Sequence, residues 1–338
     1  MKKIKVRNKN SFIKKLSIKI IRKLGFEIID QNNLTIPTSK KKINDSLTVL
    51  NKRNITLPLG EIKITRKINS FLVVFRSFTN QTKLLQQNKK RLFEKEKYEY
   101  TFRSLKSICN NLKEAKKEFK NIDFFLKIID DNSKPKIVDK LKNISKKSNF
   151  NFELTNLEIN KYSNKMKFKN NDRMIAHNSQ IFQSKEFAIN SNYDLIYFVE
   201  DDYIHDEKAF IEMIYSYQKF SSQFKDDVVL CPTDYPYLYH KFDYTKILIG
   251  SKKHWRKIDQ SLCTYLISKK ILTKYWSYYE KMFLNNFNPY EKPLHKLYEK
   301  VYCFSPMPSL AIHITNFNSI YGLSPLIDWL KFWKKNKY

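Results

Sequence analysis

Glycine is nearly absent from this chain: Gly25, Gly60, Gly250 and Gly322 are the only four in 338 residues. A P-loop and a G-x-G-x-x-G dinucleotide fingerprint both need clustered glycines, because only a residue without Cβ lets the backbone close on a phosphate. Neither can be built here. A nucleotide, if one binds, must be held in another way.

The chain is nevertheless long and apolar enough, at 42% hydrophobic and 15% aromatic residues, for one large domain with a substantial core and an appendage. Its 64 Lys and Arg against 33 Asp and Glu leave a formal charge of +31. That excess suits nucleic acid, an anionic membrane surface or a polyanionic substrate. It is equally what compositional drift gives in a chain rich in Lys, Asn and Ile throughout. Cys109, Cys231, Cys263 and Cys303 are far apart and form no C-x-x-C pair, so neither a zinc site nor a disulfide framework follows. No apolar run approaches the roughly 20 residues that cross a bilayer, and the Lys-rich N-terminus lacks the apolar h-region of a signal peptide. The expected location is cytoplasmic, either free or peripheral on the inner face of the plasma membrane.

Three regions are expected. Residues 1–67 carry a basic amphipathic helix and a polar linker; 68–330 form the main domain; 331–338 are a basic tail. In the helix, SFIKKLSIKIIRKL, the residues Ile13, Leu16, Ile20 and Leu24 fall at helical spacing, and Gly25 stops it. Such a helix can lie on an anionic leaflet, or pack on the domain with its lysines solvated.

From Phe71 short apolar runs alternate with helical periodicity. Strands are expected at 71–75, 123–129, 150–154, 194–199, 228–231, 246–249 and 262–267. Helices are expected around 80–94, 100–119, 136–146, 178–190, from 206 onward and at 269–284. This β-then-α order predicts an α/β fold, a sheet flanked by helices, with binding residues at the carboxyl ends of the strands.

The segment YDLIYFVEDDYIHDEKAF (193–210) is the most informative. A strand apolar on both faces delivers Glu200, Asp201 and Asp202 in succession at its end, and buried carboxylates are costly unless paired or bound to a cation. Acids so placed suit Mg²⁺ or Mn²⁺ bridging two phosphate oxygens. They equally suit a solvated turn, with Asp202 or Asp206 capping the next helix. Asp130-Asp131-Asn132-Ser133 ends an earlier strand; its carboxylates can meet a base or a ribose, or can form an Asx turn. Trp255 and Arg256 can stack on a sugar and grip a diphosphate, although packing explains the tryptophan as well. Tyr235, Tyr237 and Tyr239 alternate as an acceptor groove would, in a chain with 21 tyrosines.

The stretches VVFRSFTN, KIIDDNS and DRMIAHNSQIFQSKEFAINSNYDLIYFVEDDYIH, taken in order, resemble the nucleotide-binding elements of bacterial family-2-like GT-A glycosyltransferases. The later HWRKIDQSLCTYLIS, NPYEKPLHKLYEK and SPMPSLAIHITNFNSIYGLSPLIDW are similar to acceptor-side and closing motifs of such enzymes. The resemblance spans roughly 70 to 330. It implies a GT-A mixed sheet, a nucleoside-diphosphate sugar donor (UDP- or GDP-linked) and a glycan or lipid-linked acceptor. It places Arg76 near the nucleotide, Asp130 or Asp131 on the base, and Glu200-x-Asp202 in the metal-binding D-x-D frame with Asp201 between. A late histidine often serves such enzymes as a further metal ligand, which here is His313; a lone histidine in SLAIHIT also fits a packed core. An inverting enzyme needs a base for the acceptor hydroxyl. Family members tend to carry an acid where this chain has Glu291, and Asp259 is its rival.

The alternative is a metal-dependent nucleic-acid-binding or nucleotidyl-transfer enzyme, since two-metal sites also sit on strand-end carboxylates and the charge suits phosphate backbones. Nucleic acid is the weaker partner, because the basic residues form no single stripe with interleaved aromatics.

Overall fold

A computed structural model describes residues 12–26, 50–51, 53–57, 60–80, 92–168, 172–239, 245–287, 289–315 and 321–338. Helix α1 (Phe12–Lys23) precedes the hairpin β1 (Arg53–Leu57) and β2 (Gly60–Lys63). The main body opens with β3 (Ser70–Ser77), α2 (Lys97–Glu118), β4 (Asp123–Asp130), α3 (Pro135–Lys146), β5 (Asn151–Asn156), α4 (Ile159–Ser163) and α5 (Asp172–Asn190). Then come β6 (Leu195–Glu200), β7 (Tyr203–His205), α6 (Ala209–Phe224), β8 (Val229–Leu230), β9 (Ile247–Ile249), β10 (His254–Ile258) and β11 (Tyr265–Ser268). The chain closes with α7 (Lys269–Lys274), α8 (Trp276–Leu284), α9 (Lys292–Leu297), β12 (Cys303–Met307), β13 (Ala311–His313) and α10 (Trp329–Lys335).

Nine strands form one sheet in the order β5-β4-β3-β6-β11-β8-β12-β10-β9. The first four run parallel, as expected of apolar runs buried on both faces and joined by helices. Beyond β6 the sheet is mixed: β11 is antiparallel to both neighbours, β8 and β12 are parallel, and β10 is antiparallel to β12. The expected mixed α/β sheet flanked by helices is therefore observed. Phe71 to Phe75, Leu195 to Val199 and Tyr265 to Ile267 form its centre, all fully buried.

Helix α2 shows how composition sets packing. Leu105, Ile108, Leu112 and Ala115 are buried against the sheet, and Lys116 and Lys117 complement the negative end of the helix dipole. A second buried stripe is polar: Thr101, Ser104, Ser107 and Asn111 face the β6–α6 connection.

Several boundaries differ from the sequence expectations. Helix α5 starts at Asp172 instead of near 178, and the helix expected at 269–284 breaks at Tyr275 into α7 and α8. The helix expected around 80–94 falls mostly on 81–91, outside the described residues. Strand β10 covers the HWRKI stretch, where no strand was expected. The edge at 67 is not a domain boundary in packing terms: Arg66 bonds Asp194 and Asp227, and the Thr65 and Arg66 amides donate to Ser222 Oγ.

The basic tail expected at 331–338 is corrected too. Trp333 is buried against Tyr100 and Phe93, at ring distances of 5.1 and 4.3 Å, and the Arg103 guanidinium lies 4.1 Å over its ring. Burying one indole is worth about 2–3 kcal/mol, which outweighs the solvation preference of neighbouring lysines whose charged ends stay in water.

Candidate active site

From β3 the chain steps outward to β4 and β5, then returns to lay β6 on the other side of β3. That reversal makes the carboxyl ends of β3 and β6 a topological switch point, the position where open α/β sheets bind ligands. Register brings specific side chains to it. Arg76 is paired with Glu200 and Ser77 with Asp130.

The β4 end is closed by its own hydrogen bonds. Asp130, fully buried, accepts from Ser77 Oγ (2.6 Å), Ser133 Oγ (2.7 Å) and the Ser133 amide (2.8 Å). Both carboxylate oxygens are thus occupied in tying β3, β4 and the following turn together. Asp130 does not offer a base its carboxylate, which corrects one of the two assignments made there. Asp131 keeps more freedom: it accepts from Asn132 Nδ2 at 3.2 Å, and burial, with Asp130 beside it, raises its pKa. It stands near a cavity of about 500 Å³ lined by Asn132, Ser133, Leu154 and Asn156.

The β6 end divides its three acids among three tasks. Glu200 Oε1 lies 3.1 Å from Arg76 Nη2, within ion-pair range although that nitrogen makes no aligned hydrogen bond. Burial and the adjacent Asp202 raise the Glu200 pKa against the pull of Arg76. Asp201 is consumed structurally: it accepts from Lys97 Nζ (2.6 Å), Thr101 Oγ1 (2.7 Å) and the Phe78 amide (2.9 Å). It pins the start of α2 to the ends of β3 and β6, so its expected contact with the nucleotide sugar is corrected to a scaffold role. Asp202 is different. Its Oδ2 accepts from Thr315 Oγ1 (2.5 Å) and lies 3.3 Å from His313 Nε2, while its Oδ1 is buried with no hydrogen-bond partner among the described residues.

Strand pairing makes the Asp202–His313 contact. In the small sheet of β7 and β13, His313 is registered with Tyr203, and the Ile314 amide donates to the Asp202 carbonyl at 3.0 Å. The imidazole stacks on Tyr203, with centroids 4.9 Å apart and planes at 14°. His313 Nδ1 lies 3.0 Å from the Tyr321 carbonyl, which can only accept, so that nitrogen carries a proton. In a neutral imidazole Nε2 then presents a lone pair to Asp202 Oδ2. Two acceptors face each other, and the arrangement calls for a proton or a metal ion between them. The proton is one answer: burial lowers the His313 pKa, but Asp202, the Tyr321 carbonyl and Glu200 together raise it by more. Burial likewise pushes Asp202 up, yet His313 and Lys97 hold its carboxyl well below the usual range.

The residues also fit a hard divalent cation. A ring N–H given to a backbone carbonyl is the usual bracing of a ligating histidine, and Asp202 Oδ1 beside it is an acceptor without a partner among the described residues. Among the described residues no three His, Cys, Asp or Glu side chains form a metal cluster. Of the expected trio Glu200, Asp202 and His313, the structure brings Asp202 and His313 together, while Glu200 lies against Arg76. One or two protein ligands completed by phosphate oxygens and water is what Mg²⁺ commonly takes.

Glu291, at the start of α9, lies within the electrostatic reach of Glu200 and Arg76. Burial, reinforced by the field of Glu200, raises its pKa to about 7 against the opposing pull of Arg76. A carboxylate poised there suits proton transfer near neutrality. Its rival Asp259 sits exposed in the turn after β10 and shares none of this burial.

No known protein family and no curated protein matches the chain. Solved structures overlap part of it. A crystal structure of the galactosyltransferase LgtC in complex with donor and acceptor sugar analogues covers 69% of this chain and 72% of its own, at TM-score 0.37 and 8% identity. The apo structure of WbbM, a bifunctional glycosyltransferase, covers 66% of this chain at TM-score 0.37 and 9% identity, and the overlap spans 36% of WbbM. An active-site mutant of LgtC covers 63% and 64%, at TM-score 0.34 and 12% identity. These overlaps are partial and at low identity.

Two expected contacts are overturned by packing. Trp255 is fully buried on β10, donates Nε1 to Glu212 Oε1 at 3.1 Å and meets Phe220 edge-on, so its ring is closed to a sugar. Arg256 is spent on a short ion pair with Asp234, with Tyr239 stacked 4.4 Å away. Tyr235 and Tyr237 are buried, Tyr235 bonding the Tyr203 hydroxyl at 2.7 Å; only Tyr239 of the three is exposed.

The sequence reading missed residues on α5. His177 lies beside Tyr290, and burial together with Arg76 and Arg173 lowers its pKa to about 3, so it is a neutral imidazole. Lys185 is buried with Nζ over the Phe198 ring, and burial and Arg76 hold its pKa well below normal. Both lie within DRMIAHNSQIFQSK. A lysine among apolar neighbours on an inward helical face was the available signal.

Proposed function

We propose that the chain is a GT-A-type glycosyltransferase that moves a sugar from a nucleoside-diphosphate donor to a hydroxyl of a glycan or lipid-linked acceptor, with inversion. The observation that carries this reading is the facing pair Asp202 and His313 with its unused carboxylate oxygen, set at the switch point, with the Glu291 carboxyl, raised to about 7, in the field of the neighbouring Glu200. Mg²⁺ or Mn²⁺ bound by Asp202 and His313 would supply positive charge against the departing diphosphate. Arg76, its Nη2 not aligned with Glu200, adds a fixed cation at the same strand ends. The base would lie at the β4 end near Asp131.

Glu291 takes the proton of the acceptor hydroxyl as that oxygen attacks the anomeric carbon. The bond from that carbon to the diphosphate oxygen breaks as the new one forms, and its electron pair leaves with the nucleoside diphosphate. The neutral His177 adds no charge that would favour early deprotonation of Glu291.

The test is titration with UDP and GDP in the presence and absence of Mn²⁺. Saturable, Mn²⁺-dependent binding that disappears in Asp202→Asn is expected. Steeply salt-dependent oligonucleotide binding, indifferent to that substitution, would transfer the case to the nucleic-acid alternative. Inversion is read separately, from the anomeric configuration of the product by NMR.

A further inference from the structure

Helix α1 is the one amphipathic element whose apolar face the rest of the described chain leaves uncovered. Ile13, Leu16, Ile20 and Leu24 share one side of it, and all are between 49% (Leu16) and 75% (Ile13) exposed; Phe26, just beyond the helix, is exposed as well. An apolar stripe of this length in water is costly, at about 25 cal/mol per Å², so an occupant is called for.

Charge selects the occupant. Residues 1–26 contain ten Lys and Arg and no Asp or Glu. They carry about a third of the net charge of +31, so the remainder of the chain is itself strongly positive. Packing α1 onto its own domain, or onto a second copy, would bring like charges together. A nucleic acid would satisfy the lysines but leave the apolar stripe in water. An anionic lipid surface satisfies both: the stripe enters the boundary between headgroups and acyl chains, and flanking lysines reach lipid phosphates. Among the described residues no helix is long and apolar enough to cross a membrane. The contact is accordingly an in-plane one.

We infer that α1 docks the chain onto a negatively charged lipid leaflet, with Ile13, Leu16, Ile20 and Leu24 as the inserted face. This goes beyond the transfer reaction and does not depend on it.

The experiment is flotation of the full chain with vesicles of pure phosphatidylglycerol and, separately, pure phosphatidylcholine. The chain is expected to float with the first and stay down with the second, and to be released by high salt. Leu16→Asp/Ile20→Asp is expected to cut the floating fraction about tenfold with an unchanged melting temperature, since both side chains face outward. Should that variant melt lower, Leu16→Ser/Ile20→Ser decides in its place. Flotation of the variant equal to that of the native chain would show binding by charge alone and overturn the inference. So would equal flotation on phosphatidylcholine, or none on phosphatidylglycerol. None of these readouts depends on sugar transfer.

Discussion

The carboxyl ends of β4 and β6 both carry consecutive acids, yet among the described residues it is the β6 acids that pair with a buried arginine and lysine. At β4, Asp130 receives three hydrogen bonds and, among the described residues, makes no ion pair. At β6, the same degree of saturation falls on Asp201, while its neighbour Asp202 faces a histidine with one oxygen unused. A saturated carboxylate holds a fold together, and one with an orphaned oxygen is available for chemistry. Each strand end thus pairs a structural aspartate with a more available one, Asp130 with Asp131 and Asp201 with Asp202.

That contrast is breakable by substitution. The largest expected effect is on function: Asp202→Asn should lower transfer by about a thousandfold, the scale of losing a key electrostatic partner, while the melting temperature holds. Asp201→Ala should do the reverse in kind. It removes the 2.6 Å ion pair with the buried Lys97 ammonium and the hydrogen bonds from Thr101 and the Phe78 amide, and should cost about 3 kcal/mol in denaturant unfolding. If Asp201→Ala proved as stable as the native chain, the division of labour at β6 would be wrong.

Glu291→Gln comes next, with transfer expected to fall on the order of a hundredfold. In the native chain the rate of the proposed transfer should decline as pH drops below about 7, where Glu291 takes up its proton; that limb should vanish in the variant. The stability sign is opposite. The folded chain binds this proton more tightly than the unfolded chain, so stability is lost as pH rises from about 4.5 to about 7. Glu291→Gln should therefore be relatively more stable at pH 8 than at pH 4, by thermal melts at both. The smallest effect is expected of Trp255→Phe: about 1 kcal/mol from the lost bond to Glu212, with nucleotide binding unchanged. A loss of binding there would return Trp255 to the site.

Much of the scaffold was legible. Strands β3, β4 and β6 are short apolar runs, and their helices announce themselves by spacing, because burial on both faces and amphipathic packing leave a direct imprint on residue order. Strand β10 left no such imprint. Trp255 and Arg256 read as ligand-binding chemistry, whereas pairing with β12 and the acids Glu212 and Asp234 turned them into packing. The same limit applies to α10, where Trp333 outweighs the lysines around it.

By itself the sequence determined that glycine-rich phosphate cradles were excluded, that the sheet was of α/β type, and that acids would gather at the ends of two strands. Tertiary structure decided which acids were left with an open oxygen. Asp202 and His313 are 111 residues apart, and β7–β13 pairing brings them together. Asp201 is withdrawn by Lys97 and Thr101, which lie on a helix about a hundred residues earlier. Residue type sets what a carboxylate can bind, but its partners arrive through long-range packing, and they determine whether any of that capacity remains.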